Sequence, residues 1–291
     1  MEITDGFPGK IWMDYELRDA GAGEKLERWG KFILRRPDTQ AIWKRTLSDS
    51  EWDNADASYL RDKKGAGHWE FRTDVPKEWN IRYGDLNFKI KPTSYKHTGI
   101  FPEQSANWER VKNIFQRTYP KRVLNLFAYT GALTCVMADA GAEEIVHLDA
   151  SPKTVNWAQE NVKLCGLEKH KIRFLVDDAM KFIKREARRG NKYDAIVMDP
   201  PSYGRGPDGE LWKLEISLQD LVTASSGILS EEPVLFLMNC YTAEYSHFAL
   251  RNLLQCSLGA LGGDIVSGEL GIPFGEIGFV LPAGIYAMWS R

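Results

Sequence analysis

The sequence predicts an α/β protein: a mostly parallel sheet with helices on both faces and an antiparallel hairpin at one edge, preceded by a small β-rich (α+β) domain. Three observations predict it. From about Pro102 onward, short apolar runs alternate with capped stretches of helix length, the rhythm of a parallel sheet with helical crossovers. Up to about Gly99 the chain instead carries short strand-like runs cut by turn formers, together with six of its ten tryptophans. The tail holds two strand-like runs with no helix between them, which suits a hairpin at a sheet edge. The expected division is therefore 1–98 and 99–291.

In the first part, strands are expected over 31–35, 68–72, 79–83 and 86–90, separated by Pro-Asp, Gly-Asp and Gly-Ala-Gly, with a hairpin turn at Tyr83-Gly84-Asp85. Trp12, Trp29, Trp43, Trp52, Trp69 and Trp79 read as core filling, and the sharper alternative is a stacking platform for RNA bases. In the second part, 123–127 is a strand and 131–140 a helix, and 144–149 is a second strand. Ser151 caps a helix with Pro152 in its first turn and its end at Gly166. A third strand, 172–176, leads to a basic helix over 179–189 that stops at Gly190. The fourth and fifth strands fall at 193–198 and 234–239, and 264–266 with 285–289 supply the edge hairpin.

Composition narrows the function classes. Hydrophobic residues make up 43% and charged residues 27%, with a net charge of -2. That balance describes an ordinary globular chain with no global nucleic-acid signature, although a local basic patch remains compatible. No apolar run approaches the roughly 20 residues of a membrane span, and Met1-Glu2-Ile3-Thr4-Asp5 does not read as a signal peptide. Cys135, Cys165, Cys240 and Cys256 show no paired spacing, so the expected setting is a reducing cytoplasm. No CxxC or HExxH spacing occurs, and no metal site is expected. The oligomeric state is left open.

The chemistry-bearing residues gather at strand ends. The first strand exits through Asn125-Leu126-Phe127-Ala128-Tyr129-Thr130-Gly131, where a glycine lets a ligand approach the backbone at a helix N-terminus. Asp149 ends the second strand, a place where a carboxylate suits the hydroxyls of a ribose. Asp177-Asp178 ends the third and can accept from the amine of adenine. Asp199-Pro200-Pro201-Ser202-Tyr203 ends the fourth, and two prolines cannot continue a ladder. Together these ends describe an adenosine site with an acceptor grip beside it. A GxGxxG at Gly204, Gly206 and Gly209 follows that turn rather than opening the first helix. It reads as a flexible loop that closes over substrate as a lid.

From about His97 to Tyr241 the chain resembles the class I S-adenosylmethionine-dependent methyltransferases, and within them the bacterial 23S ribosomal RNA methyltransferase group. The motifs that carry the resemblance are HTGIFPEQ at 97–104, NLFAYTG at 125–131, HLDAS at 147–151, DDAMKFI at 177–183 and DPPSYGRG at 199–206. The resemblance implies a Rossmann-like sheet binding S-adenosyl-L-methionine, with S-adenosyl-L-homocysteine as product. It implies that Phe127, Thr130 and Gly131 surround the methionine half, with Asp149 on the ribose and Ser151 nearby, and it counts Asn125, Ala128 and Ala150 among the cofactor-binding residues. It sets Asp178 by the adenine and counts Asp177, Ala179 and Asp199 among the cofactor-binding residues. Asp199, Pro200, Pro201 and Tyr203 fall at the reacting end, and Phe101 and Gln104 in a segment that closes over the cofactor. Three departures stand out. Ser105 follows Gln104 where the ribosomal RNA enzymes commonly have arginine. The first hundred residues are too short for an extra RNA-binding domain besides the small sheet. Ser202 separates Pro201 from the aromatic Tyr203.

Two acceptors follow from these residues. One is an amine gripped by Asp199 and the Pro200 carbonyl, with Tyr203 stacking on it. The other is carbon 5 of a cytosine, which needs a thiolate to add to the ring, and Cys240 at the end of the fifth strand is the candidate. A small buried apolar residue is the plainer reading of Cys240. Lys181, Lys184, Arg185, Arg188 and Arg189 give one helix a basic face, which supports an RNA partner weakly. A protein or small-molecule amine as substrate is the alternative, and a non-catalytic RNA-binding or assembly factor is the alternative from another class. A nicotinamide dehydrogenase is disfavoured by the missing dinucleotide glycines.

Overall fold

A computed structural model describes residues 7–61, 67–242, 244–276 and 278–291. The start, residues 1–5, on which the signal-peptide reading rests, lies outside the described residues. The chain forms two compact units. The first comprises Met1–Ala106 and Leu270–Ala283, the second Asn107–Glu269 and Gly284–Arg291. The division thus falls at 106/107 rather than the expected 98/99, and a second segment from the chain's far end joins the first unit.

The first unit holds β1 (Tyr15–Gly21), β2 (Glu24–Trp29), β3 (Phe32–Pro37), α1 (Asp49–Asp53), β4 (Ala57–Arg61), β5 (Gly67–Phe71), β6 (Trp79–Tyr83) and β7 (Leu86–Ile90). Strands β1 to β5 form one sheet in chain order, while β6 and β7 form a separate hairpin across the Gly84-Asp85 turn. Pairing is antiparallel except between β3 and β4, whose parallel register is reached through α1. The tryptophans fill the interior. Trp12, Trp29 and Trp52 are buried, and Trp43, Trp69 and Trp79 turn their Nε1–H groups to the Ala20, Thr93 and Trp29 carbonyls.

β1, β2 and β4 went unpredicted because charged residues occupy inward positions of the first two. Asp19, fully buried, accepts from the Ala20, Thr46 and Leu47 amides, from the Thr46 hydroxyl and from Trp52 Nε1. Glu27, also fully buried, takes both arms of Arg36 at 2.7 Å and the Tyr15 hydroxyl at 3.0 Å. Burial pushes the Glu27 carboxyl up, and Arg36 and Lys25 more than offset it, so the group stays below the usual carboxylate range. Inward acids hide the alternation that marks a strand, and only distant partners make them tolerable.

The second unit continues with α2 (Ser105–Thr118), β8 (Arg122–Leu126), α3 (Ala132–Asp139), β9 (Glu144–Asp149), α4 (Pro152–Leu164), β10 (Lys171–Val176), α5 (Ala179–Arg188) and β11 (Ala195–Met198). It is completed by β12 (Tyr203–Arg205), β13 (Leu211–Lys213), α6 (Leu214–Ser226), β14 (Leu235–Cys240), α7 (His247–Leu258), β15 (Asp264–Phe274) and β16 (Phe279–Ser290). Its sheet runs β10-β9-β8-β11-β14-β16-β15, with β8 to β11 and β14 parallel and β16 antiparallel to β14. This is the expected mixed sheet. The edge strands are longer than the expected 264–266 and 285–289, because they carry the hairpin whose distal part, Leu270–Ala283, belongs to the first unit.

Both faces of the central strands are buried. Leu124, Leu126, Val146, Leu148, Ile196, Met198, Phe236 and Met238 pack on one face against Phe182, Leu221 and Leu254 of α5, α6 and α7. The alternate positions include Asn125, His147 and Asn239, polar yet hardly exposed. Successive strand residues point to opposite faces, so these polar groups share one side, where α3 supplies Thr134 to Asn125 and His147.

Candidate active site

The strand order reverses between β8 and β11, which leaves a crevice outside their carboxyl ends. Phe127, Tyr129 and Gly131 there have φ of 55°, 49° and 80°. A left-handed backbone at two non-glycine residues costs about 1–3 kcal/mol each and persists only when neighbours over-determine it. They do so here. The Ala128 amide donates to the Leu148 carbonyl at 3.0 Å, the Tyr129 amide to Asp149 Oδ2 at 2.9 Å, and Asn161 Nδ2 to the Thr130 carbonyl at 2.8 Å. Gly131 is required twice, by its φ and by space: a Cβ there would lie 2.7 Å from Ala158 Cβ on α4.

Asn125 does not reach into the crevice. Its Nδ2 donates to Thr134 Oγ1 at 3.0 Å, and that hydroxyl meets His147 Nδ1 at 2.9 Å. With Thr134 accepting from Asn125, its own proton goes to the imidazole. Burial, only partly opposed by the Tyr129 backbone, pushes His147 down to about 3 and keeps the ring neutral. A buried polar chain thus underpins the turn that the sequence assigned to contact.

Asp149 ends β9 with its carboxylate fixed from three directions. Oδ1 accepts from the Ser151 amide and Thr154 Oγ1, both at 2.9 Å, and Oδ2 from the Tyr129 amide. Each oxygen offers two lone pairs, so Oδ2 keeps capacity for a hydroxyl. Ser151 caps α4 by accepting from the Thr154 amide, and Ala150 is the bend between carboxylate and cap. Thr154 was missed by sequence reasoning; its signal is a hydroxyl in the first turn after Ser-Pro. Asp177 accepts from the Asp178 amide at 2.8 Å and pairs with Arg185. Asp178 caps α5 through the Lys181 amide at 2.8 Å. The Ala179 side chain lies in the apolar core, so it offers a ligand only backbone.

At the end of β11, Asp199 follows Met198, which pairs with Leu126 on one side and Met238 on the other. The turn carbonyls are less available than the prolines suggest: Pro201 O accepts from Trp212 Nε1 at 2.5 Å and Ser202 O from the Leu214 amide at 3.0 Å. Tyr203 is 57% exposed. The stretch with Gly204, Gly206 and Gly209, expected to be a flexible loop, is a two-stranded hairpin of β12 and β13. Cys240 is the last residue of β14 and fully buried. Burial first, and then the Asp199 charge, push its thiol up to about 12, so it rests protonated.

Of the five cations on α5, Arg185 pairs with Asp177, Lys181 with Glu210 and Asp208, and Arg189 with Glu186. Much of the expected basic face is thereby neutralised. Phe101 and Gln104 belong to the first unit. There Gln104 is buried on a short 3₁₀ turn, Pro102–Gln104, and the Phe101 ring lies 5.2 Å from His97. Among the described residues no cluster of three or more His, Cys, Asp or Glu has the arrangement of a metal site, and no helix is long and apolar enough to cross a membrane.

The profile of the S-adenosylmethionine-dependent methyltransferase family matches residues 54–214. The chain belongs to this family. A crystal structure of the SAM-dependent methyltransferase from Agrobacterium tumefaciens shares 38% identity over 96% of this chain and 91% of that one, with a TM-score of 0.91. Ribosomal RNA large subunit methyltransferase I of Aeromonas salmonicida is 35% identical over 144 residues, 50% of this chain and 35% of that protein. Ribosomal RNA large subunit methyltransferase K/L of Colwellia psychrerythraea is 29% identical over 178 residues, 61% of this chain and 24% of that protein. The chain therefore matches only about a quarter to a third of the length of these two curated relatives.

The methyltransferase site fits its cofactor by its own geometry. The turn closes on α4 because Gly131 lacks a Cβ, and Gly131 caps α3 without a side chain, where the first amides of a helix suit a carboxylate. Asp149 presents a fixed acceptor where a ribose diol would lie, and the bend at Asp177-Asp178 offers carboxylate and backbone to an adenine edge. S-adenosylmethionine supplies an activated methyl group, so the protein's task is to align an acceptor with it and exclude water.

Proposed function

We propose that this methyltransferase modifies an exocyclic amine of a base in large-subunit ribosomal RNA. The observation that carries the choice of atom is the contrast between Asp199 and Cys240, neighbours at the ends of β11 and β14. Carbon-5 transfer needs a thiolate, and Cys240 is buried with its thiol pushed up to about 12. Asp199 is a carboxylate beside two prolines, suited to accept one amine hydrogen while the Pro200 carbonyl accepts the other. That pair would turn the nitrogen lone pair toward the methyl carbon. Exposed Tyr203 can stack on the acceptor base. In structured RNA the base must first leave its stack. Asp149 would hold the ribose of the cofactor, Asp178 the adenine, and Phe127, Thr130 and Gly131 the methionine half.

The RNA part of this reading rests on the similarity to the large-subunit methyltransferases I and K/L. The test is transfer of a tritiated methyl group in an extract of cells lacking the gene, followed by nuclease or protease. Label released by nuclease and retained after protease is expected. Label lost to protease alone would make the acceptor a protein.

A further inference from the structure

The hairpin of β12 and β13 is short, yet it reaches three places on the carboxyl edge of the sheet. Trp212 on β13 donates Nε1–H to the Pro201 carbonyl at 2.5 Å. Its ring stands 5.2 Å from that of Phe127, centroid to centroid and tilted by 51°. Gly204, its register partner on β12, lies against the turn: a Cβ there would make ordinary contact with Pro201 Cγ at 3.4 Å and Trp212 Cβ at 4.0 Å. At the hairpin's other end, Asp208 (at 3.2 Å) and Glu210 pair with Lys181 in the first turn of α5, the helix that Asp178 caps. One element thus ties the exit of β8, the exit of β11 and the start of α5 together.

We propose that Trp212 is a positioning residue for methyl transfer, locking the turn that carries Phe127 to the turn that carries Asp199. An indole suits this because it joins a broad apolar face to a single donor. The face packs on the Phe127 ring and adds to the hydrogen bonds that hold its left-handed turn. The donor fixes the Pro201 carbonyl and with it the orientation of Asp199-Pro200. Methyl transfer tolerates little error, since a displacement of about 1 Å in reacting groups can cost on the order of 100-fold in rate. Trp212 touches the two turns and acts through them. Lys181 with Asp208 and Glu210 keeps the hairpin seated.

The proposal separates from the RNA reading when two variants are measured two ways. Trp212→Phe keeps a ring against Phe127 and loses the donor; Trp212→Ala loses both. S-adenosyl-L-homocysteine affinity is read by calorimetry, and single-turnover transfer on ribosomal RNA from a strain lacking the gene. For Trp212→Phe, affinity should stay within about twofold and the transfer rate fall about tenfold, with KM for RNA unchanged. For Trp212→Ala, affinity should also weaken about tenfold as Phe127 is unpinned. A wild-type rate in Trp212→Phe overturns the proposal. So does a loss seen in KM alone, which would make Trp212 an RNA contact. Trp212→Phe decides the matter if Trp212→Ala does not fold. If the wild-type protein transfers nothing to that RNA, the RNA reading fails, and the homocysteine arm alone tests Trp212: unchanged affinity in Trp212→Ala then overturns its role.

Discussion

The two halves of the crevice are built differently. On the proposed cofactor side, at the ends of β9 and β10, each acid is held by backbone amides: Asp149 by that of Ser151 and, from the preceding strand exit, that of Tyr129, Asp177 by that of Asp178, and Asp178 by that of Lys181. On the proposed acceptor side, the turn after β11 is held by its carbonyls, through the Trp212 indole and the Leu214 amide, and Tyr203 and Leu211 stay exposed. In the proposed reading the cofactor meets acids fixed by backbone amides, whereas the acceptor meets a partly exposed turn held through its carbonyls. The difference predicts that damage on the first side shows in binding and damage on the second in rate.

Asp199→Asn breaks the comparison most sharply if it is correct. Single-turnover transfer should fall about 100-fold while S-adenosyl-L-homocysteine affinity stays within about twofold. A matching loss of affinity would move Asp199 to the cofactor side. Gly131→Ala should do the reverse, weakening that affinity about 100-fold through a strained φ and a Cβ driven toward Ala158; calorimetry on the folded variant reads it. His147 supplies a pH test of the cradle. Its folded pKa is pushed down to about 3, below the ordinary value of 6.5. Below pH 6.5 the unfolded chain therefore takes up a proton that the folded protein refuses, and stability falls until the pH nears 3. At pH 5.5 the loss from this group is about 1 kcal/mol relative to neutrality. Urea unfolding of wild-type protein and His147→Asn at both pH values should show that part of the slope vanish in the variant. Cys240→Ala should have the smallest effect, leaving the transfer rate within about twofold while costing about 1 kcal/mol of stability from the buried sulfur. Abolished transfer would restore the thiolate route.

The same contrast explains what could be read from sequence. Ser151 was legible as a cap because a hydroxyl between a strand end and a proline-led helix is a local pattern; Asp178, read toward adenine, also caps the helix after it. The parallel strands were legible because burial on both faces leaves continuous apolar runs. Asn125 lay in the right motif, but the side its chain faces is set by strand parity and by Thr134 on α3, neither of which a motif records. Trp212 escaped notice because its partners, Phe127 and Pro201, come to it only through folding. The glycines near it suggested a loop, although two short strands of three residues each form there. In the first unit, Asp19 and Glu27 masked β1 and β2 by standing inward, Asp19 with Trp52 far along the chain and Glu27 with Arg36 on the neighbouring strand.

The ring of Trp43 stacks on Phe274 and on Phe279, at 6.2 and 6.1 Å, with all three residues in the first unit. On the ribosome, Trp43 is made long before either phenylalanine, and the whole second unit up to Glu269 is translated in between. The first unit therefore waits, its aromatic stack incomplete, until Leu270–Ala283 has been made. A nascent chain halted before Leu270 should expose Trp43 to quenchers and proteases. Synthesis of Leu270–Ala283 is then the step that completes the first unit.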